Sequence, residues 1–102
     1  MSKIENIEEY YPNGMLREKG TLKDGRRHGL YRSWFPWGQK MNVDNYKNGK
    51  LHGLSRQWYV NEVQGYEVTY RDGKIDDGVH TYWYDNGEIM DKMTVKDGKL
   101  VE

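Results

Sequence analysis

Apolar and polar positions alternate in step along Leu30-Tyr31-Arg32-Ser33-Trp34-Phe35, Leu54-Ser55-Arg56-Gln57-Trp58-Tyr59 and Val79-His80-Thr81-Tyr82-Trp83-Tyr84. A period of two is the signature of β-strands, whose side chains point alternately to the two sheet faces. The parity places Leu30, Arg32, Trp34, Leu54, Arg56, Trp58, Val79 and Trp83 on one face. Phe35, Tyr59 and Tyr84 take the other. If two-residue turns set the register, Leu22, Tyr46, Tyr70 and Val95 join them there. Each face of the expected sheet therefore carries an aromatic stripe.

Turn signals punctuate these strands at a fixed interval. Tyr-Pro-Asn-Gly at 11–14 returns as Phe-Pro-Trp-Gly at 35–38 and Tyr-Asp-Asn-Gly at 84–87, while Tyr-Val-Asn-Glu at 59–62 fills the third slot without its glycine. A second series, Lys-Asp-Gly, Lys-Asn-Gly, Arg-Asp-Gly and Lys-Asp-Gly, ends at Gly25, Gly49, Gly73 and Gly98. Asn-Gly and Asp-Gly supply the two positive φ angles of a type I′ hairpin turn. A third series, Gly29, Gly53 and Gly78, follows the second. The step lengthens by one residue at 74–78, where Lys-Ile-Asp-Asp-Gly replaces Lys-Leu-His-Gly, and a bulge or longer turn is expected there. The chain is a tandem repeat in a single domain, 1–102. Its units are roughly 10–33, 34–57, 58–82 and 83–102, behind an N-terminal capping strand at 1–9. The expected fold is all-β: an open, curved single antiparallel sheet, a hairpin meander of about eight to nine strands. The segments 4–9 and 99–102 are expected to blunt its two edges.

The string from Tyr10 to Tyr31, with Asn45-Tyr46-Lys47-Asn48-Gly49-Lys50-Leu51-His52-Gly53, resembles the MORN repeat in its variant form. The third unit departs from that pattern, with Glu62 at the turn glycine and Asp76-Asp77-Gly78 in place of the His-Gly pair. The resemblance implies a row of β-hairpins used mainly to bind other proteins. Similar short bacterial proteins are antitoxin or immunity partners of toxins, some phage proteins look alike, and larger eukaryotic relatives are linked to membranes.

Composition narrows the function. Sixteen Lys and Arg balance sixteen Asp and Glu among 102 residues, so no single-sign field steers the chain to nucleic acid or to an anionic membrane. Aromatic residues make up 14% while alanine and cysteine are absent; the core must come from Trp and Tyr, and disulfides and cysteine chemistry drop out. No run approaches about 18 apolar residues and the N-terminus has no apolar targeting core, so a cytoplasmic location is expected.

Candidate chemistry is sparse. His28 and His52 share a repeat slot, but equivalent slots two strands apart lie about 9.6 Å from each other, and zinc ligands must reach to about 2 Å. They read as repeat residues packing on turns, and no metal or cofactor is expected. Ser2, Ser33 and Ser55 sit in no nucleophile elbow; Asp24, Asp72, Asp85 and Asp97 are turn residues. An enzyme is not expected. Arg32 and Arg56 stand two positions before Trp34 and Trp58, close enough for cation–π contact, and Trp, Tyr and Arg dominate interface hot spots. Trp37 sits in a turn after Pro36, where a loop tip exposes it. The sequence thus suggests a non-enzymatic module that neutralises or inhibits a partner protein, as an antitoxin, immunity protein or phage-encoded inhibitor. Trp34, Trp37, Trp58, Trp83, Arg32 and Arg56 are the expected contacts. A small-ligand or nucleotide binder and a structural homo-oligomer, including a homodimer, are the alternatives.

Overall fold

A computed structural model describes residues 2–101; Met1 of the expected capping strand and Glu102 of the expected C-terminal edge lie outside them. The described residues contain strands and turns and no helix: β1 (Ile4–Tyr10), β2 (Leu16–Lys23), β3 (Arg26–Arg27), β4 (Gly29–Trp34), β5 (Lys40–Lys47), β6 (Lys50–Leu51), β7 (Gly53–Trp58), β8 (Gln64–Arg71), β9 (Lys74–Ile75), β10 (Gly78–Trp83), β11 (Ile89–Lys96) and β12 (Lys99–Val101). They form one open antiparallel sheet in the order β1-β2-β4-β5-β7-β8-β10-β11-β12, with β3, β6 and β9 paired to β2, β5 and β8.

The nine places along this path match the expected meander; twelve segments arise because three strands are broken. Each break sits at a third-series glycine, where φ is +81° at Gly29, +108° at Gly53 and +128° at Gly78. A side chain rarely tolerates that backbone, so glycine there kinks the strand out of its ladder. The second-series turns hold Asp24-Gly25, Asn48-Gly49, Asp72-Gly73 and Asp97-Gly98 with both φ values positive, as a type I′ turn requires.

Pairing is uneven, and this sets the character of the array. Within the hairpins β4–β5, β7–β8 and β10–β11 the register runs through six residue pairs, and through seven in β1–β2. Between hairpins it is split by the kink into two short stretches of two pairs each: Glu18↔Ser33 and Lys19↔Arg32, Asn42↔Gln57 and Val43↔Arg56, Tyr66↔Tyr82 and Glu67↔Thr81, with two further pairs to β3, β6 or β9. Side chains reinforce these thin junctions at both ends. At one end the Tyr11 hydroxyl donates to the Trp34 carbonyl (2.6 Å) and Asn13 Nδ2 to the Pro36 carbonyl (2.9 Å). Tyr59 and Asn61 repeat this clamp on the Trp83 and Asp85 carbonyls (2.6 and 2.7 Å). At the other end His28 Nδ1 accepts from the Asn48 amide (3.4 Å) and His52 Nδ1 from the Asp72 amide (3.1 Å). In the third unit Asp77 takes over, accepting from the amides of Asp97 and Gly98 (both 3.0 Å). His28 and His52 are turn clips, as their shared slot suggests.

The sheet measures 44 × 39 × 10 Å across its Cα atoms, one layer thick. Among the described residues only Tyr31 and Val68 are buried hydrophobics, with Ser55 and His80 the buried polar ones. Tyr31, Ser55 and His80 share one repeat slot, and Val68 lies across the ladder from Ser55. The Tyr31 ring fills the space over Gly20, where an added Cβ would stand 2.1 Å from it. No second layer covers either face among these residues.

Candidate functional site

The repeat is broken at one junction, between the second and third hairpins. Phe35 occupies the slot of Tyr11 and Tyr59 and has no hydroxyl to reach the next unit; Trp37 occupies the slot of Asn13 and Asn61 and has no amide. In place of the clamp, Gln39 Nε2 donates to the Tyr59 carbonyl (2.7 Å), and Trp37 Nε1 donates to Gln39 Oε1 (3.1 Å). The Trp37 indole stacks on the Phe35 ring with centroids 4.9 Å apart and planes 3° from parallel, yet remains 58% exposed. On the facing turn, Glu62 adopts φ +72° where the other units place Gly14, Gly38 and Gly87. A left-handed backbone costs a non-glycine residue about 1–2 kcal/mol, and strain of this kind concentrates at functional sites.

A cleft of about 290 Å³ opens at this junction, lined by Gly38, Gln39, Lys40, Trp58 and Glu62. Lys40 Nζ sits 5.0 Å from the Trp58 ring centroid, within cation–π range. The cleft thus offers an indole, an ammonium and a carboxylate beside the exposed Phe35–Trp37 stack, a mixture of apolar area and directional polar groups.

The other expected contacts run across the sheet from this cleft. Trp34, Trp58 and Trp83 end β4, β7 and β10 and are half-buried. Arg32 stacks on Trp34 at 5.6 Å as its spacing suggests. The corresponding Arg56–Trp58 stack does not appear among the cation–π contacts, where Lys40 covers Trp58 instead. Arg56 Nε lies 3.5 Å from a Glu67 carboxylate oxygen across the ladder, because only this unit places an acid opposite that slot. Nε of both Arg32 and Arg56 is buried without a hydrogen-bond partner. Trp37 belongs to the turn edge rather than to the row of Trp34, Trp58 and Trp83.

Sequence reasoning gave the opposite face an aromatic stripe, Tyr46 included, but named no contact residue in it. Arg27 lies 4.3 Å over the Tyr31 ring, donates to the Tyr46 hydroxyl (3.2 Å) and pairs with Glu18 (3.1 Å). Tyr31 meets Tyr46 edge-on at 6.1 Å, and Tyr66 meets Tyr82 at 6.1 Å. Asp44 sits among them, accepting a hydrogen bond from Ser55. Burial raises its pKa, while the Ser55 bond and the Arg27 charge pull it down. An aspartate in mid-strand, away from any turn, was the available signal. No group of three His, Cys, Asp or Glu residues that could hold a metal ion occurs among the described residues.

The family model of the MORN repeat variant matches residues 6–24 and 76–97. No curated protein and no solved structure matches the chain. The unmatched stretch between the two segments contains Phe35, Trp37 and Glu62, the substitutions that open the cleft, although its strands pair as the matched ones do. MORN repeats are generally non-catalytic. A hairpin unit recurs four times and matches that family model near both ends, so the chain carries MORN repeats of the variant form at 6–24 and 76–97.

Proposed function

We propose that the chain is a non-enzymatic protein-binding module, and that its contact surface centres on the cleft between the second and third turns. One observation carries this reading: the two clamp residues are replaced only here, and their replacements present a stacked, exposed indole beside a cleft. Repeat arrays hold their shape from unit to unit, so a unit that gives up its clamp for an exposed aromatic has a different task. Trp58 and Trp37 are the anchors. Trp34 and Trp83 extend the apolar contact along the sheet, and Arg32 and Arg56 supply directional polar contacts. The action is steric: the bound face covers a working surface of a toxin or host effector, which makes the protein an inhibitor of the antitoxin or immunity kind. Balanced charge argues against nucleic acid and anionic membrane as the target,, and a cytoplasmic setting suits a chain without cysteine.

Capture from the native host, identification of the partner and titration with purified components test the proposal. Trp37→Ala and Trp58→Ala should each weaken binding roughly 30-fold, the effect of losing a hot spot of about 2 kcal/mol, with the strand circular dichroism unchanged. Excess protein should block the partner's activity. Full affinity in both variants would defeat the assignment of the cleft.

A further inference from the structure

The two outer edges of the sheet are complementary in register, charge and clamp chemistry. We infer that a second copy of the chain docks head to tail, with β1 of one molecule adding to β11 of the other.

The argument starts from the register. β1 pairs with β2 as β4 pairs with β5, with the same shift before the last residue: Glu8↔Lys19 and Tyr10↔Leu16 correspond to Arg32↔Val43 and Trp34↔Lys40. β1 is therefore a strand of the β4, β7 and β10 type, and among the described residues its outer side is unpaired. At the other end β12 pairs only with Thr94, Val95 and Lys96, which leaves the outer side of Ile89–Met93 open. Within the chain, that side of β2, β5 and β8 takes a β4-type strand through two residue pairs. Carried to β11, the same register sets Lys92 opposite Glu8 and Asp91 opposite Glu9 of the incoming copy.

Charge agrees with this pairing. β1 carries Glu5, Glu8 and Glu9 and no basic residue; β11 and β12 carry Lys92, Lys96 and Lys99 against Asp91. Lys92 occupies the same repeat slot as Lys19, whose ammonium already lies 3.6 Å from Glu8 within one chain. Docking would place Glu8 between two lysines in equivalent positions. Glu9, opposite Asp91, is the one unfavourable pair, and Arg17 already neutralises it within its own chain.

An independent observation points the same way. The fourth turn carries both clamp residues, Tyr84 and Asn86, in the slots of Tyr11/Tyr59 and Asn13/Asn61. Tyr11 and Tyr59 reach the carbonyl of the residue in the Trp34 slot, and Asn13 and Asn61 that of the residue in the Pro36 slot. Among the described residues the Tyr84 hydroxyl and Asn86 Nδ2 have no such acceptor, and Tyr84 is exposed. The matching carbonyls in the first hairpin are those of Tyr10 and Pro12. A head-to-tail copy brings them to Tyr84 and Asn86 and completes the clamp. Residues 2–4 of the incoming copy and 100–101 of the receiving one contend for one place beside β11. Whichever yields gives up backbone pairing, Lys3 and Ile4 with Asp24 and Lys23 or β12 with Thr94, Val95 and Lys96, but little apolar contact, since Ile4, Leu100 and Val101 are all exposed.

Sedimentation of the full chain from micromolar to millimolar concentration tests the inference. The expected mass rises with concentration without stopping at two, because a head-to-tail contact leaves an edge free at each end. Lys92→Glu and Glu8→Lys should each weaken association about tenfold, the swing from an attractive to a repulsive cross-strand pair. Mixing the two variants should restore it, since each then meets its complement. Tyr84→Phe should weaken it about fivefold, the loss of one net hydrogen bond. A wild-type chain that stays monomeric at millimolar concentration overturns the inference. So does a mass that closes at a dimer, or a mixture no better associated than either variant alone.

Discussion

His80 is wholly buried, yet it lies in a one-layer sheet where almost nothing else is. Its Nδ1 accepts from the Thr69 amide (3.2 Å), and its Nε2 lies 2.7 Å from the Asp76 carbonyl, to which it donates. The ring is therefore held as the Nε2–H tautomer, with both nitrogens used. It occupies the unit that is one residue longer, where β9 and β10 are separated by Asp76 and Asp77 instead of by one histidine, and the imidazole fills the gap that the longer connection creates. His80→Phe keeps a flat ring, somewhat larger than the imidazole, and removes both bonds. Leaving one buried donor and one buried acceptor without partners costs about 1–3 kcal/mol each, so a loss of about 2–6 kcal/mol is expected. His80→Ala adds a cavity to the same two losses and should be the more destabilised of the two variants, by a large share of the roughly 5–15 kcal/mol that holds an ordinary domain together. Urea unfolding followed by tryptophan emission measures both values. Amide exchange at Thr69 localises the effect, because its protection should collapse in His80→Phe while that of Asn42 and Val43 persists. A His80→Phe protein as stable as wild type, with Thr69 still protected, would refute the assignment of the two bonds.

Two further outcomes follow from the clamp and from the half-buried Asp44. Tyr59→Phe removes the hydroxyl that reaches the Trp83 carbonyl and should cost about 1 kcal/mol in urea unfolding, with exchange quickened between the third and fourth hairpins and not between the first and second. Asp44 has a folded-state pKa raised chiefly by burial. Its favourable linkage is full below the unfolded carboxylate pKa of about 3.9 and is lost as pH rises through the folded value. Asp44→Asn still accepts from Ser55 and carries no charge, so it should be more stable than wild type at neutral pH. That advantage should shrink as pH is lowered toward 4 in paired thermal melts.

The architecture was legible because glycine states it outright. The series at 25, 49, 73 and 98 supplies positive-φ turns, that at 29, 53 and 78 supplies kinks, and their spacing counts the strands. Alternation also assigned Arg32 and Trp34 to one face, which the stacking of the Arg32 guanidinium on the Trp34 ring bears out. What escaped depends on neighbours two strands away. That Arg56 turns to Glu67 while Lys40 covers Trp58 is decided by which residue the ladder places opposite, and periodicity assigns a face without naming that neighbour. His80 stands outside the slot of His28 and His52 and in that of Tyr31 and Ser55, and its burial is the burial of that slot, which alternation alone does not announce. Glu62 read as a degraded turn, although its backbone keeps the glycine conformation at a cost. Asp44 escaped because the search for carboxylates stopped at turns.

The placement of the cleft has a consequence for how the array responds to load. The ladders between hairpins are shorter than those within them and are interrupted at a kink, so the side chains that clamp each junction add to its stiffness. The first and third junctions carry both the tyrosine and the asparagine clamp; the central one carries Gln39 alone on that edge. The least clamped junction on that edge is therefore the middle one, where Trp37, Lys40, Trp58 and Glu62 meet. Under the proposed function, a partner that fills the cleft would add a link between the second and third hairpins and so should stiffen the sheet as well as the loop. Because each unit leans only on its neighbours, the substitutions at 35, 37 and 62 leave the outer hairpins intact. That independence lets a repeat array exchange one clamp for a contact surface without losing its fold.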